Sequence, residues 1–153
     1  MYRTGVRTFE AAAFLRRCGA DITLVKKMFR DDMECYQLKA AIISNAKVFR
    51  EKFAIAENLR SNVESPTIVG AQAANELLDI NEIKASFVLT VYGNRIYVSA
   101  RSIDEVNVQV IMEKLGGGGH MNAAGAQFEH TDIDRAVKAV EDVIDKMLEK
   151  GDL

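Results

Sequence analysis

Residues 85–102, ASFVLTVYGNRIYVSARS, decide the fold. Two runs rich in β-branched and aromatic residues, Ala85 to Tyr92 and Arg95 to Ala100, flank the dipeptide Gly93-Asn94. Glycine in the first central position of a two-residue loop is the mark of a type II′ turn, so the stretch predicts an antiparallel hairpin. Helical and extended patterns alternate on both sides of it. Upstream, Phe53-Ala54-Ile55-Ala56 predicts a strand. The sole proline, Pro66, follows SNVES (61–65) and marks a loop before a helix from about Ile68 to Leu78. Downstream, Val106 to Leu115 predicts a helix, with Asp104 and Glu105 expected to serve its N-terminus. A short strand is expected at Ala126-Gln127-Phe128. Thr131 or Asp132 then caps a last helix. Ile133, Val137, Val140, Ile144, Met147 and Leu148 line one of its faces, and Gly151 stops it. Residues 53–153 are therefore expected to form an α/β domain.

Residues 1–52 carry a different pattern, all helical. Thr8 is expected to cap a helix that ends at Cys18-Gly19, with Arg16 and Arg17 in its last turn. Asp21 can cap a short second helix, Ile22 to Phe29. Asp31 and Asp32 open a third, running to about Val48, in which Met33, Tyr36, Ala40 and Ile43 fall three and four apart and predict a buried stripe. Arg3 and Arg7 form either a basic edge toward a partner domain or an ordinary helix entrance.

Composition narrows the function classes. The chain has 153 residues, enough for one domain plus a short appended segment. A hydrophobic fraction of 48% with 27% charged residues is globular rather than disordered. Net charge is −2, from 22 acids against 20 bases, which argues against a general basic grip on nucleic acid and leaves room for a local cationic pocket. No run approaches the ~18 apolar residues of a membrane span, so no membrane contact is expected of this segment. Cys18 and Cys35 lack CxxC spacing and read as reduced core residues of a cytoplasmic protein.

The chemistry concentrates in Gly116 to Gln127, GGGGHMNAAGAQ. Four consecutive glycines are destabilising unless the fold uses their dihedral freedom. They join structured segments too closely to act as a linker. The run is read either as a structural turn or as an anion nest in which the glycines converge their backbone N–H groups, aided by a following helical turn, with His120 donating to a phosphate oxygen at the rim. Arg101 and Ser102, at the end of the hairpin, are the second candidates: a guanidinium fork and a hydroxyl on the same phosphate. His130 reads as a surface residue. Phosphodiester hydrolysis commonly takes metal ions held by several carboxylates and histidines. The chain has two histidines and no Asp-His-His string, and His130-Thr131-Asp132-Ile133-Asp134 and Asp31-Asp32 both sit at helix starts. The chain is therefore expected to bind a phosphorylated ligand and to lack a metal site of its own.

The glycine-histidine string resembles the motif of DHHA1 domains, the substrate-binding halves of DHH/DHHA1 phosphoesterases. The context is similar too: GAQAANELL (70–78), the hairpin, Arg101-Ser102, then VNVQVIMEKLGGGGH (106–120). RTGVRTFEAAAFLRRCGAD (3–21) resembles the end of a DHH domain and its connector, most nearly that of membrane-tethered cyclic-di-AMP phosphodiesterases. The resemblance implies an α/β fold, with a helical connector over 1–52 and a DHHA1 domain over 53–153 whose mixed sheet is flanked by helices. It implies that Gly117, Gly118, Gly119, His120, Arg101 and Ser102 bind the substrate phosphate or nucleotide. It also implies that manganese ions are held by a DHH domain upstream of Met1, as a partner of this segment in a larger parent. On that reading this chain is a piece that does not catalyse alone. The parent would open cyclic di-AMP to linear pApA and would be anchored in the cell membrane. Three alternatives stand beside it: a fragment of a nanoRNase or RecJ-like exonuclease acting on short oligonucleotides, an RNA-binding DHHA1 module like the tail of alanyl-tRNA synthetase, and a homodimerisation domain using the apolar stripes of the first helices.

Overall fold

The computed structural model describes residues 4–60, 63–103 and 105–153. Arg3, Ser61, Asn62 and Asp104, named above, lie outside them. The chain divides into two compact units, residues 1–33 and 34–153.

The first unit holds helices α1 (Val6–Arg17) and α2 (Ile22–Met28). α1 starts two residues before Thr8, with Gly5 as its N-cap and no side-chain cap bond. α2 is capped as expected: the Asp21 carboxylate accepts from the Thr23 N–H at 2.7 Å. Neither helix contains a buried residue. Cys18, expected in a core, is exposed and free.

The second unit runs α3 (Met33–Ser44), β1 (Lys47–Phe49), β2 (Phe53–Asn58), α4 (Pro66–Leu77), β3 (Ala85–Tyr92), β4 (Arg95–Ser102), α5 (Val108–Lys114), β5 (Gly118–His120), β6 (Ala123–Glu129) and α6 (Ile133–Lys150). Six strands form one sheet in the order β1-β2-β3-β4-β6-β5. It is mixed: β2 and β3 are parallel, joined through α4, and the other pairs are antiparallel. The central hairpin closes as predicted, with Tyr92 opposite Arg95, Gly93 at φ 63° and no positive φ at Asn94.

Each face of the sheet carries its own core. On one side Phe53, Phe87, Leu89, Val98 and Ala100 meet α5 and the Val140, Ile144 and Met147 stripe of α6. On the other, Ala54, Ala56 and Val88 meet Leu38 and Ile42 of α3 and Val69, Ala73 and Leu77 of α4. This second core explains why α3 belongs to the sheet unit, although the sequence pattern grouped it with the connector over 1–52. It also moves the expected stripe: Leu38, Lys39 and Ile42 are buried, whereas Met33 and Tyr36 are exposed. The wide apolar surface of this helix allowed two faces, and packing against α4 chose between them. α3 ends at Ser44, and Val48 lies in edge strand β1.

Several boundaries shift for local reasons. α4 begins at Pro66, whose missing N–H suits a first helical position. α5 is capped by Asn107, whose side chain accepts from the Gln109 and Val110 N–H groups at 3.1 and 3.4 Å. Glu105 instead pairs with Lys84 at 3.4 Å. α6 is capped by Asp132, which accepts from the Arg135 N–H at 2.8 Å, and ends in left-handed Gly151 at φ 73°.

Candidate functional site

The glycine run does not form a nest leading into a helix. Its first two residues finish α5. The Gly116 N–H donates to Glu113 O at 3.1 Å and the Gly117 N–H to Met112 O at 2.8 Å, the paired bonds of a Schellman motif, with Gly116 at φ 78°. Gly118–His120 then form β5, an edge strand that turns through Met121-Asn122 into β6. The amides of Gly116 and Gly117 are thus occupied by the protein's own carbonyls. Among the described residues, the main-chain groups on the outer side of β5 face no neighbouring strand. The physical reason for the glycines is close approach: a Cβ on Gly117 would strike Gly125 O and Ala126 Cα, and one on Gly119 would lie 2.5 Å from Ala124 Cα. Gly118 has open space where its Cβ would be.

Register brings two of the expected residues together. Arg101 on β4 is opposite Ala123 on β6, and Ala123 is opposite His120 on β5. Residues paired this way project to the same face of a sheet. The guanidinium and the imidazole therefore stand on one face, two strand spacings or about 10 Å apart at their backbones, with only a methyl group between them. The same register separates Arg101 from its neighbour. Side chains alternate along a strand, so Ser102 points to the α5/α6 side, where it is buried. Its hydroxyl bonds to Met121 O at 3.3 Å, its N–H donates to Asn122 O at 3.1 Å, and the Asn122 amide donates to Ser102 O at 3.3 Å. Ser102 thus holds the β5–β6 turn and points away from Arg101, contrary to the expectation that the two would meet one phosphate.

α4 covers this face only over the central strands. Beyond it the β4–β6–β5 surface is open, bearing half-buried Arg101, Ser99 and Tyr97 and exposed Gln127 and His120. At the far end, Arg95 is neutralised by Glu129 at 2.6 Å. Arg101 is different. It donates one bond to Ala100 O at 2.8 Å and has no carboxylate partner among the described residues. Burial lowers its pKa from the ordinary value; it remains a cation at neutral pH. A half-buried guanidinium in the same row as an imidazole has the chemistry to receive an anion. The sequence gives no sign of the neighbouring cavity of about 400 Å3, lined by Thr67, Tyr97, Ser99, Gly117, Gly125 and Gln127, because its walls are assembled from four separate elements.

Among the described residues no group of three or more His, Cys, Asp or Glu converges as a metal would need. His130 is exposed at φ 53°, outside this face. No helix of the described residues is long and apolar enough to cross a membrane.

Fold and face together define an α/β domain with a mixed six-stranded sheet whose β4–β6–β5 surface is open on one side. The chain belongs to the DHHA1 domain family, whose model matches residues 52–146. It is 39% identical over 94% of its length to the cyclic-di-AMP phosphodiesterase PdeA of Listeria monocytogenes. It is likewise 39% identical, over 97% of its length, to the cyclic-di-AMP phosphodiesterase GdpP of Bacillus subtilis. It spans only 22% and 23% of those proteins. A solved exopolyphosphatase-related protein from Bacteroides fragilis shares the fold, with a TM-score of 0.80 at 22% identity over 94% of this chain and 44% of that one.

Proposed function

We propose that this domain holds the phosphate of a dinucleotide for a phosphodiesterase that opens cyclic di-AMP to linear pApA. The observation that carries the reading is the row Arg101–Ala123–His120 on the open face, with Arg101 half-buried and without a carboxylate partner among the described residues. Arg101 forks onto phosphate oxygens, His120 donates from the β5 edge, and Ala123 and Gly118 keep the floor low enough for close approach. Gly117 and Gly119 keep β5 tight against β6, and Ser102 fixes the turn that carries His120.

The relatives named for this activity are four to five times longer than this chain, which leaves room for the metal chemistry elsewhere. The manganese that activates water is assigned to a DHH domain of the parent. In the parent, this domain closes over the nucleotide and orients the scissile bond. The segment would act in the cytoplasm, with any membrane anchor located in another part of the parent.

The test is calorimetric titration of the chain with pApA and cyclic di-AMP. Arg101→Ala and His120→Ala should each weaken binding by about 1–3 kcal/mol, the usual loss for a hydrogen bond to a charged group. Unchanged affinity in both variants rejects the site. Turnover of cyclic di-AMP by this chain with added manganese rejects the assignment of the metal to another domain.

A further inference from the structure

We infer that Gln127, with Tyr97, selects adenine as the base of the bound nucleotide; the inference rests on the phosphate site proposed above. The cavity of about 400 Å3 lies on the same open face as Arg101 and His120. Tyr97 on β4 is opposite Gln127 on β6, two side-chain rows from Arg101, or about 13 Å along the strand. A nucleotide covers that scale of distance from its phosphate to the outer edge of its base. Gly117 and Gly125 contribute no side chains to the floor, so a flat ring can lie against main chain. No charged side chain lines the cavity, which suits a neutral base rather than a second phosphate.

The two facing side chains divide the work. Tyr97 offers an aromatic surface on which any base can stack. Gln127 discriminates. It is exposed, and its side-chain amide makes no hydrogen bond among the described residues. A primary amide presents a donor and an acceptor side by side. Adenine matches it with its N6 donor beside the N7 acceptor. On this same N7 edge guanine presents two acceptors, O6 and N7, and leaves one facing the amide oxygen, so the selection holds for a base that turns its N7 edge to Gln127.

The experiment titrates the full chain with pApA, pGpG and ribose 5-phosphate, following backbone and side-chain amides by 1H–15N NMR. The Gln127 side-chain NH2 signal should move with pApA and stay in place with ribose 5-phosphate. Gln127→Ala should weaken pApA about tenfold, bring pApA and pGpG close to equal affinity, and leave ribose 5-phosphate binding unchanged. Tyr97→Leu should weaken both dinucleotides together. If Gln127→Ala keeps the original ratio of pApA to pGpG affinity while Arg101→Ala loses both ligands, base selection by Gln127 is overturned and the phosphate site stands. If Arg101→Ala leaves all three ligands unaffected, both readings fall.

Discussion

Neighbouring glycines of the run should respond oppositely to the same added methyl group. A Cβ on Gly117 would meet Gly125 O and would lie 2.7 Å from both Ala126 Cα and Ala126 Cβ. Two of those three obstacles are backbone, and β6 is held between β4 and β5, so relief requires the hairpin to shift. Overpacking of this kind costs about 1–3 kcal/mol, and obstacles that cannot rotate away put Gly117→Ala at the upper end. For a folded unit of this size that is a fall of about 10 °C in melting temperature. A Cβ on Gly118 meets nothing within 4 Å, and its φ is not in the left-handed region. Gly118→Ala should therefore stay within about 0.5 kcal/mol of the parent stability, the small gain from restricting the unfolded chain offsetting alanine's weak strand preference. Yet Gly118 is opposite Gly125 and two residues from His120, so its methyl group would project onto the open face. A methyl group in the ligand's place should weaken pApA binding about tenfold, roughly 1.4 kcal/mol. Calorimetric melting with pApA titration reads both quantities on the same samples. Equal loss of melting temperature in the two variants would refute the strand register. A Gly118→Ala chain that melts normally and binds normally would refute the placement of the ligand on this face.

Asn107→Ala removes the oxygen that accepts from two N–H groups at the start of α5 and should destabilise by about 0.5–2 kcal/mol in urea unfolding. Ile144→Ala empties part of the core between α6 and the sheet, at a fully buried position; about 2–5 kcal/mol is expected in the same assay. The Arg50 guanidinium donates two hydrogen bonds to Asp145, at 2.8 and 2.9 Å, and holds its carboxyl below the ordinary aspartate value. A depressed carboxylate pKa stabilises the fold above the unfolded-state value and loses that contribution as pH falls through the folded value. Carboxyl NMR should find Asp145 titrating below an ordinary aspartate, and Arg50→Ala should return it toward normal; an unmoved midpoint would dismiss the pair.

Local chemistry made much of this legible. Gly93-Asn94 sets a turn by the dihedrals glycine permits. Asp21 and Asp132 cap helices because a carboxylate is the nearest acceptor for stranded N–H groups. The glycine-histidine string identified the family, since Gly117 and Gly119 are required wherever β5 is pressed onto β6. What failed to show were features fixed by partners far along the chain. The three-residue strands β1 and β5 carry too little pattern to be seen alone. α3 offered two apolar faces, and the choice waited on α4. Cys18 looked like a core residue because cysteine usually is, but its helix contains no buried position.

The sequence by itself determined the hairpin, the caps at Asp21 and Asp132 and the family, and it singled out Arg101 and His120 as candidates, because each rests on contacts within a few residues or on a contiguous motif. Only the tertiary structure decided which of these act together. Strand register put Arg101 and His120 in one row, turned Ser102 to the opposite side and set Tyr97 facing Gln127. Register is a relation between strands: the two-residue alternation fixes which neighbours share a face, but pairing across the sheet decides which distant residues they meet.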